Sequence, residues 1–226
     1  MSREIGIHMD EESERLLAKK EQQRQMEIES NRRDSEPVLA DLAKSGFQVE
    51  WVEELYLKRL NYKNAIPVLL KWLPLIDNLD VKEAIVRALT VSWAKPIAEK
   101  PLLAEFKKMI NDSNIRINWA IANALVIVAT DKSYTEIANL IQDPRSGPAR
   151  KMLTLALGNM KNPLAEDKLI DLLEDDFVVG HAIIALGNLR STKAYNVVRK
   201  FLIHPKSWVR EEAKKALAKI ENTKSK

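Results

Sequence analysis

The sequence predicts an all-α protein in which pairs of helices stack along one axis. A pattern centred on an Ala-Leu dipeptide recurs five times in the last three-quarters of the chain. The central alanines are Ala88, Ala124, Ala156, Ala185 and Ala216, which stand 36, 32, 29 and 31 residues apart. A period in this range is typical of solenoids, whose repeats bury their apolar faces against neighbouring repeats. No segment alternates apolar and polar residues for long enough to predict a strand.

The composition is that of a soluble protein and excludes several kinds of chemistry. The 226 residues are 46% hydrophobic and 30% charged, and none is cysteine. A disulfide framework, a thiolate nucleophile and a cysteine-ligated zinc site are therefore excluded. The N-terminus lacks the apolar core of a signal peptide, and no uncharged run approaches the ~18 residues of a membrane span. We expect a cytoplasmic protein without membrane contact.

The chain divides into three segments by composition. Residues 1–36 hold seven Lys or Arg and ten Asp or Glu, which predicts a charged N-terminal tail that is helical or partly disordered. The run from Asp34 to Pro37 is expected to break that helix. Residues 37–222 are predicted to form a single repeat domain, and residues 223–226 a disordered tail. Two helices, over residues 37–44 and 49–60, are predicted to cap the first repeat.

Each repeat is predicted to contribute two helices. The first helices are expected at residues 65–73, 102–110, 135–141, 165–173 and 194–203. The second helices are expected at residues 81–93, 115–128, 148–160, 177–189 and 208–220. Pro67 is tolerable in the first turn of a helix, and Pro74 should end that helix. Pro96, Pro101 and Pro163 are expected between repeats.

The second helices carry an apolar stripe that sets their packing. Positions seven before the central alanine, four before it and one after it fall on one helical face. The position after it is always leucine, and the position seven before it is always apolar. The small central alanine should let neighbouring second helices approach closely. A bulky residue in its place should overpack the contact by roughly 1–3 kcal/mol.

The last three repeats resemble HEAT repeats of the short type named for phycobilisome lyases. The residues that carry the resemblance are the Ala-Leu-Gly endings at 156–158 and 185–187, the first helix at 169–175, and the Val-Arg opening at 209–210. Copies one and two depart from the family, because Thr90 and Val126 stand where glycine is expected. The resemblance covers residues 61–222 and implies a right-handed α-solenoid of about five HEAT-like helix pairs with an N-terminal helical cap.

The resemblance implies a range of functions and does not choose among them. Members of this family act as protein-binding adaptors, as bilin-attaching chaperones or lyases, and as inhibitors or antidotes of partner proteins. More distant relatives excise bases from DNA. Because unrelated functions share one fold, the residues of the surface must decide.

The sequence offers no catalytic set and no site for a cofactor or metal. His8, His181 and His204 are far apart, and none forms a pair with metal-ligand spacing. His181 falls on the apolar stripe, which predicts a buried, hydrogen-bonded histidine. Gly147 stands alone between Ser146 and Pro148, so no glycine-rich loop could hold a phosphate. We expect a protein that is not an enzyme.

Positions one and five before the central alanine lie off the apolar stripe and predict a groove on the second helices. They are polar at both ends of the chain and apolar in the middle, where Gly180 is expected to leave open space. An apolar patch with a polar rim is typical of a protein-binding surface. The predicted groove residues are Glu83, Arg87, Trp119, Asn123, Lys151, Leu155, Ile184 and Lys215. Trp119 could instead be a core residue, since tryptophan is usually largely buried. The four other tryptophans are interpreted as core or cap residues.

The leading hypothesis is therefore a non-enzymatic scaffold that holds a partner protein, or one of its helices, in this groove. The first alternative is nucleic-acid binding, because residues 190–226 hold eleven Lys or Arg and three Asp or Glu. In its enzymatic form this alternative is a HEAT-like DNA glycosylase. Its predicted phosphate contacts are Arg190, Lys193, Arg199, Lys200, Arg210 and Lys214. The second alternative is a bilin-lyase-like activity, which no residue pattern supports directly.

Overall fold

A computed structural model describes residues 11–112 and 114–224, and within these residues the protein is helical and has no strand. His8 and the rest of the first ten residues lie outside the described residues, as do residues 225–226. Short 3-10 turns connect or extend several of the α-helices. The α-helices are α1 (Glu11–Lys44), α2 (Glu54–Leu57), α3 (Ile66–Trp72), α4 (Leu79–Ala88), α5 (Lys95–Met109), α6 (Ile115–Val128), α7 (Tyr134–Gln142), α8 (Arg150–Leu157), α9 (Pro163–Asp171), α10 (Val179–Leu189), α11 (Tyr195–Arg199) and α12 (Ser207–Lys224).

Helix α1 continues through Pro37, so the predicted break at residues 34–37 is wrong. Contacts on both sides of the proline explain the continuity. Ser35 lies buried before it, and Val38 and Leu42 lie buried after it. Asn78 Nδ2 also donates a hydrogen bond to Asp34 Oδ2 at 2.8 Å. This tertiary packing outweighs the backbone hydrogen bond that a proline inside a helix removes.

Three other predicted boundaries are corrected by the structure. The second cap helix, expected over residues 49–60, is reduced to the four residues of α2. Pro96 and Pro101 both lie inside α5 and not between repeats, because α5 begins at Lys95. Helix α12 runs to Lys224, two residues into the segment that was predicted as a disordered tail. Among the described helices, none combines the length and the apolar character needed to cross a membrane.

The second helices pack against one another in chain order. Helix α4 contacts α6, α6 contacts α8, α8 contacts α10, and α10 contacts α12. Each also packs against the first helix of its own pair. The predicted stripe is the buried face of these helices: the five central alanines and the five leucines that follow them are all buried. The sequence pattern therefore located the core of each second helix.

Two glycines set how closely the last second helices approach. A Cβ added to Gly158, which directly follows α8, would lie 2.7 Å from Cα of Ala185 in α10. A Cβ added to Gly187 of α10 would lie 2.8 Å from Cα of Ala216 in α12. Each Ala-Leu-Gly ending thus meets the central alanine of the next repeat, at a distance that only glycine allows.

The earlier helices are joined by buried polar groups. Lys82 of α4 and Glu105 of α5 form an ion pair in which both side chains are almost fully buried. Glu99 of α5 is also buried, and its carboxylate accepts hydrogen bonds from the backbone N–H of Thr130 and from the hydroxyls of Thr130 and Ser133. Glu99 therefore ties α5 to the turn that precedes α7.

Candidate functional site

The structure places exposed aromatic side chains on α6, in the turn before α10 and on α12. Trp119 of α6 is 38% exposed, Phe177 in the turn before α10 is 42% exposed, and Trp208 of α12 is 45% exposed. Leu155 of α8 and Ile184 of α10 are partly buried at this face. We call this set, together with Lys151 of α8, the second-helix surface. Its members are Trp119, Lys151, Leu155, Phe177, Ile184 and Trp208.

One end of the predicted groove is a structural ion network. Glu83 is only 8% exposed, contrary to the predicted solvent-facing position. Arg87 donates to Glu83 Oε1 from Nη2 at 2.6 Å and from Nε at 2.9 Å. Arg116 Nε lies 3.1 Å from Glu83 Oε2, and the same guanidinium pairs with Asp80. These arginines balance the charge of the buried carboxylate and link α4 to α6, although Glu83 Oε2 has no hydrogen-bond partner among the described residues. Because the carboxylate is buried and ion-paired, Glu83 is not available to a partner.

The Asp80–Arg116 pair shifts the pKa of both groups in the direction that strengthens it. The hydrogen bond from Arg116 lowers the pKa of Asp80, and the Asp80 carboxylate raises the pKa of Arg116. Both groups stay charged at neutral pH. The pair therefore neutralises this end of the second helices.

Lys151 and Phe177 join α8 to the turn before α10. Lys151 Nζ lies 4.7 Å from the centroid of the Phe177 ring, and Arg150 Cζ lies 5.6 Å from the same centroid. Both distances are within the range of a cation–π contact, worth roughly 0.5–1 kcal/mol at an exposed site. Arg150 also pairs with Asp175, which fixes that turn. The Phe177 ring is thus held in place, while the residue remains 42% exposed.

Trp208 of α12 leans back onto α10. A Cβ added to Gly180 would lie 2.0 Å from Cη2 of the Trp208 ring, so the indole fills the space that glycine leaves. The expectation that Gly180 leaves open space is therefore wrong. The Trp208 and His181 rings meet edge to face, with centroids 5.8 Å apart and an interplanar angle of 64°. The exposed indole is consequently positioned by two residues of the preceding repeat.

His181 differs from the hydrogen-bonded histidine that the sequence predicts. The side chain is partly buried, and its Nδ1 is buried without a hydrogen-bond partner among the described residues. Burial lowers the pKa of His181, and the Lys151 ammonium lowers it further, whereas Glu212 acts in the opposite direction. The imidazole is therefore neutral at pH 7 and adds no charge to the second-helix surface.

The remaining predicted groove residues stay at the surface. Asn123 of α6 is exposed four residues after Trp119, on the same helical face. Lys215 of α12 is exposed, and its Nζ donates to Glu212 Oε1 at 2.7 Å. The structure thus brings the middle and the C-terminal end of the predicted set onto consecutive packed helices.

The predicted phosphate contacts do not form one free basic face. Lys193 pairs with Asp167, and Lys214 Nζ lies 2.8 Å from Glu211 Oε1. Arg210 donates to the backbone carbonyls of His204 and Pro205 at 2.7 and 2.8 Å. The other candidates, Arg190, Arg199 and Lys200, are exposed.

Sequence reasoning missed Phe177, Trp208 and Arg116. All three stand eight residues before a central alanine. Trp119 and Lys151 stand five residues before a central alanine. The position eight before it is therefore three residues, about one helical turn, further towards the N-terminus. The series at this position is Asp80, Arg116, Pro148, Phe177 and Trp208, and its two aromatic residues could have extended the predicted groove by one turn.

Comparison of the chain with protein-family models, with curated proteins and with solved structures found no match. The assignment of function therefore depends on the residues described above.

Proposed function

We propose that this chain is a HEAT-like solenoid of helix pairs that binds another protein on its second-helix surface, and that it acts without catalysing a reaction. The stacking order of α4, α6, α8, α10 and α12 supports the solenoid. So does the repeated glycine–alanine contact between consecutive second helices. A stack of this kind presents a long continuous surface that a partner can follow.

The observation that carries the proposal is the set of three aromatic side chains, each more than one-third exposed, on α6, in the turn before α10 and on α12. A monomeric protein seldom exposes contiguous apolar groups unless they take part in binding. Tryptophan is also enriched among the residues that dominate protein–protein affinity. Two of the rings are fixed by their neighbours, so little conformational entropy would be lost when a partner covers them.

Trp119 offers the sharpest test of this proposal. Trp119→Ala should weaken binding by about 2 kcal/mol or more, because it removes a large anchor from the surface. The melting temperature should fall by less than for a fully buried tryptophan, since the residue is 38% exposed. The measurement is a quantitative pull-down from cell extract, after crosslinking, that compares the native chain with Trp119→Ala.

Two results would contradict the proposal. One is that the native chain recovers no protein in larger amount than Trp119→Ala does. The other is that the variant melts far below the native protein, which would make Trp119 a core residue. Lys108→Ala, a change to an exposed residue of α5, is the matched control and should leave recovery unchanged.

A further inference from the structure

The charges around the second-helix surface are unevenly satisfied. Most of its acidic neighbours have a basic partner: Asp175 pairs with Arg150, Glu211 with Lys214, and Glu212 with Lys215. At the far end, Asp80 and Glu83 share Arg116. The exposed Asp176, next to Phe177, forms no ion pair within the described residues.

Lys151 lies near the middle of the surface and forms no ion pair within the described residues. Its Nζ lies 4.7 Å from the centroid of the Phe177 ring. The nearby His181 is neutral at pH 7, because burial and Lys151 itself lower its pKa. An ammonium group without an ion pair therefore lies between the apolar groups of α6 and α12.

We infer that the partner of this surface presents an acidic amphipathic helix, with a carboxylate that pairs with Lys151 and apolar side chains that cover Trp119 and Trp208. This inference rests on the proposed function and names the chemistry of the partner. Complementary charge at the centre of an interface fixes the register of the partner and disfavours wrong partners. The flanking aromatic groups supply the apolar contact area.

The spacing of the helices sets the expected pattern in the partner. The axes of packed helices lie about 8–10 Å apart. Trp119 is on α6, one second helix before Lys151 on α8. The Trp208 ring lies against Gly180 of α10, one second helix after Lys151. An α-helix rises 1.5 Å per residue, so two turns span about 11 Å. The partner helix should carry its acidic residue at the centre and apolar residues about seven positions before and after it.

The test is selection of displayed, randomised 18-residue peptides on the immobilised full chain, followed by affinity measurements on the enriched peptides. The expected consensus has Asp or Glu between two apolar positions. Lys151→Glu should weaken the enriched peptides about tenfold or more, because it places like charges together. Lys151→Gln should weaken them less, and Lys108→Glu, a charge reversal on the exposed face of α5, should have no effect.

Each outcome decides a different point. Peptides that need Trp119 but show no acidic preference, or that bind Lys151→Glu as well as the native chain, would overturn this inference and leave the proposed function standing. If no enriched peptide depends on Trp119, the proposed function fails as well. Exchange of Glu for Lys in the peptide repeats the charge test with an unaltered protein, so a variant that misfolds cannot obscure the result.

Discussion

The N-terminal helices and the C-terminal second helices are held in place by different contacts. At the C-terminal end, Gly158 meets Ala185 and Gly187 meets Ala216 with backbone against backbone. Thr90 and Val126 occupy the positions that correspond to those glycines after the first two central alanines. At this end Arg116 links α4 to α6, the buried Lys82–Glu105 pair joins α4 to α5, and Glu99 joins α5 to the turn before α7.

Two kinds of contact therefore stabilise the packing of these helices: close approach at small residues and buried polar pairs. Small residues gain dispersion contacts through close approach and tolerate no added volume. In a buried polar pair each partner is costly to lose, because the other is left unpaired. The two regions should therefore respond to opposite kinds of substitution.

The largest effect is expected for Lys82→Ala in the polar region. It leaves the Glu105 carboxylate buried without its partner, which should lower the free energy of unfolding by about 3–5 kcal/mol. The double variant Lys82→Met/Glu105→Leu should recover most of that loss, since it removes both charges. Urea unfolding at pH 7 measures both. A loss below about 1 kcal/mol for the single variant would show that the pair is not a buried contact.

A smaller effect is expected for the glycine contacts. Gly158→Ala and Gly187→Ala should each lower the free energy of unfolding by roughly 1–3 kcal/mol, because the new methyl group would overlap backbone atoms of the next helix. In an unconstrained helix the same change would be stabilising. Thr90→Ala, at the matching position of the first repeat, should cost less than either. Equal effects at all three positions in urea unfolding would remove the distinction between the two regions.

Gly180→Ala tests a contact that is absent from the first repeats. Its new methyl group would overlap the Trp208 ring and turn the indole away from His181, at a cost of about 1 kcal/mol. The ¹⁹F resonance of fluorotryptophan at 208, assigned with Trp208→Phe, should shift while the other four resonances stay in place. An unchanged resonance would mean that the indole does not pack on Gly180.

The smallest effect concerns His181, which faces Lys151 on α8 and Glu212 on α12. Its pKa is lowered in the folded chain, so between the two pKa values the unfolded chain binds more protons. The contribution to stability is therefore complete above pH 6.5 and is lost as the pH falls through the folded pKa. The drop in unfolding free energy from pH 7.5 to pH 5 should be smaller in His181→Gln than in the native chain. An identical drop in both would mean that His181 is not buried.

The sequence pattern predicted the all-α character and the buried stripe of the second helices, because small and apolar residues recur at fixed positions. The bounds predicted for α6 from its apolar stripe agree with the structure, and all five central alanines are buried. The course of α1 could not be predicted in this way. Pro37 predicts a break, and the contacts of Ser35, Val38 and Leu42 that outweigh it come from residues distant in sequence.

The surface was harder to predict than the core, because its geometry depends on pairs of repeats. The exposure of Trp119 follows from its register on one helix. The place of Trp208 depends on a glycine 28 residues earlier, and the burial of Glu83 depends on Arg116 in the next repeat. A pattern read along one helix does not contain these contacts.

Site-specific photocrosslinking in living cells tests the central claim most directly. A benzoylphenylalanine placed at Asn123, which is exposed beside Trp119 on α6, should form an adduct with another protein. The adduct should disappear when Trp119→Ala is added, and the same group at Lys108 on α5 should form none. Adducts of equal yield at both positions, or no adduct at Asn123, would contradict the account.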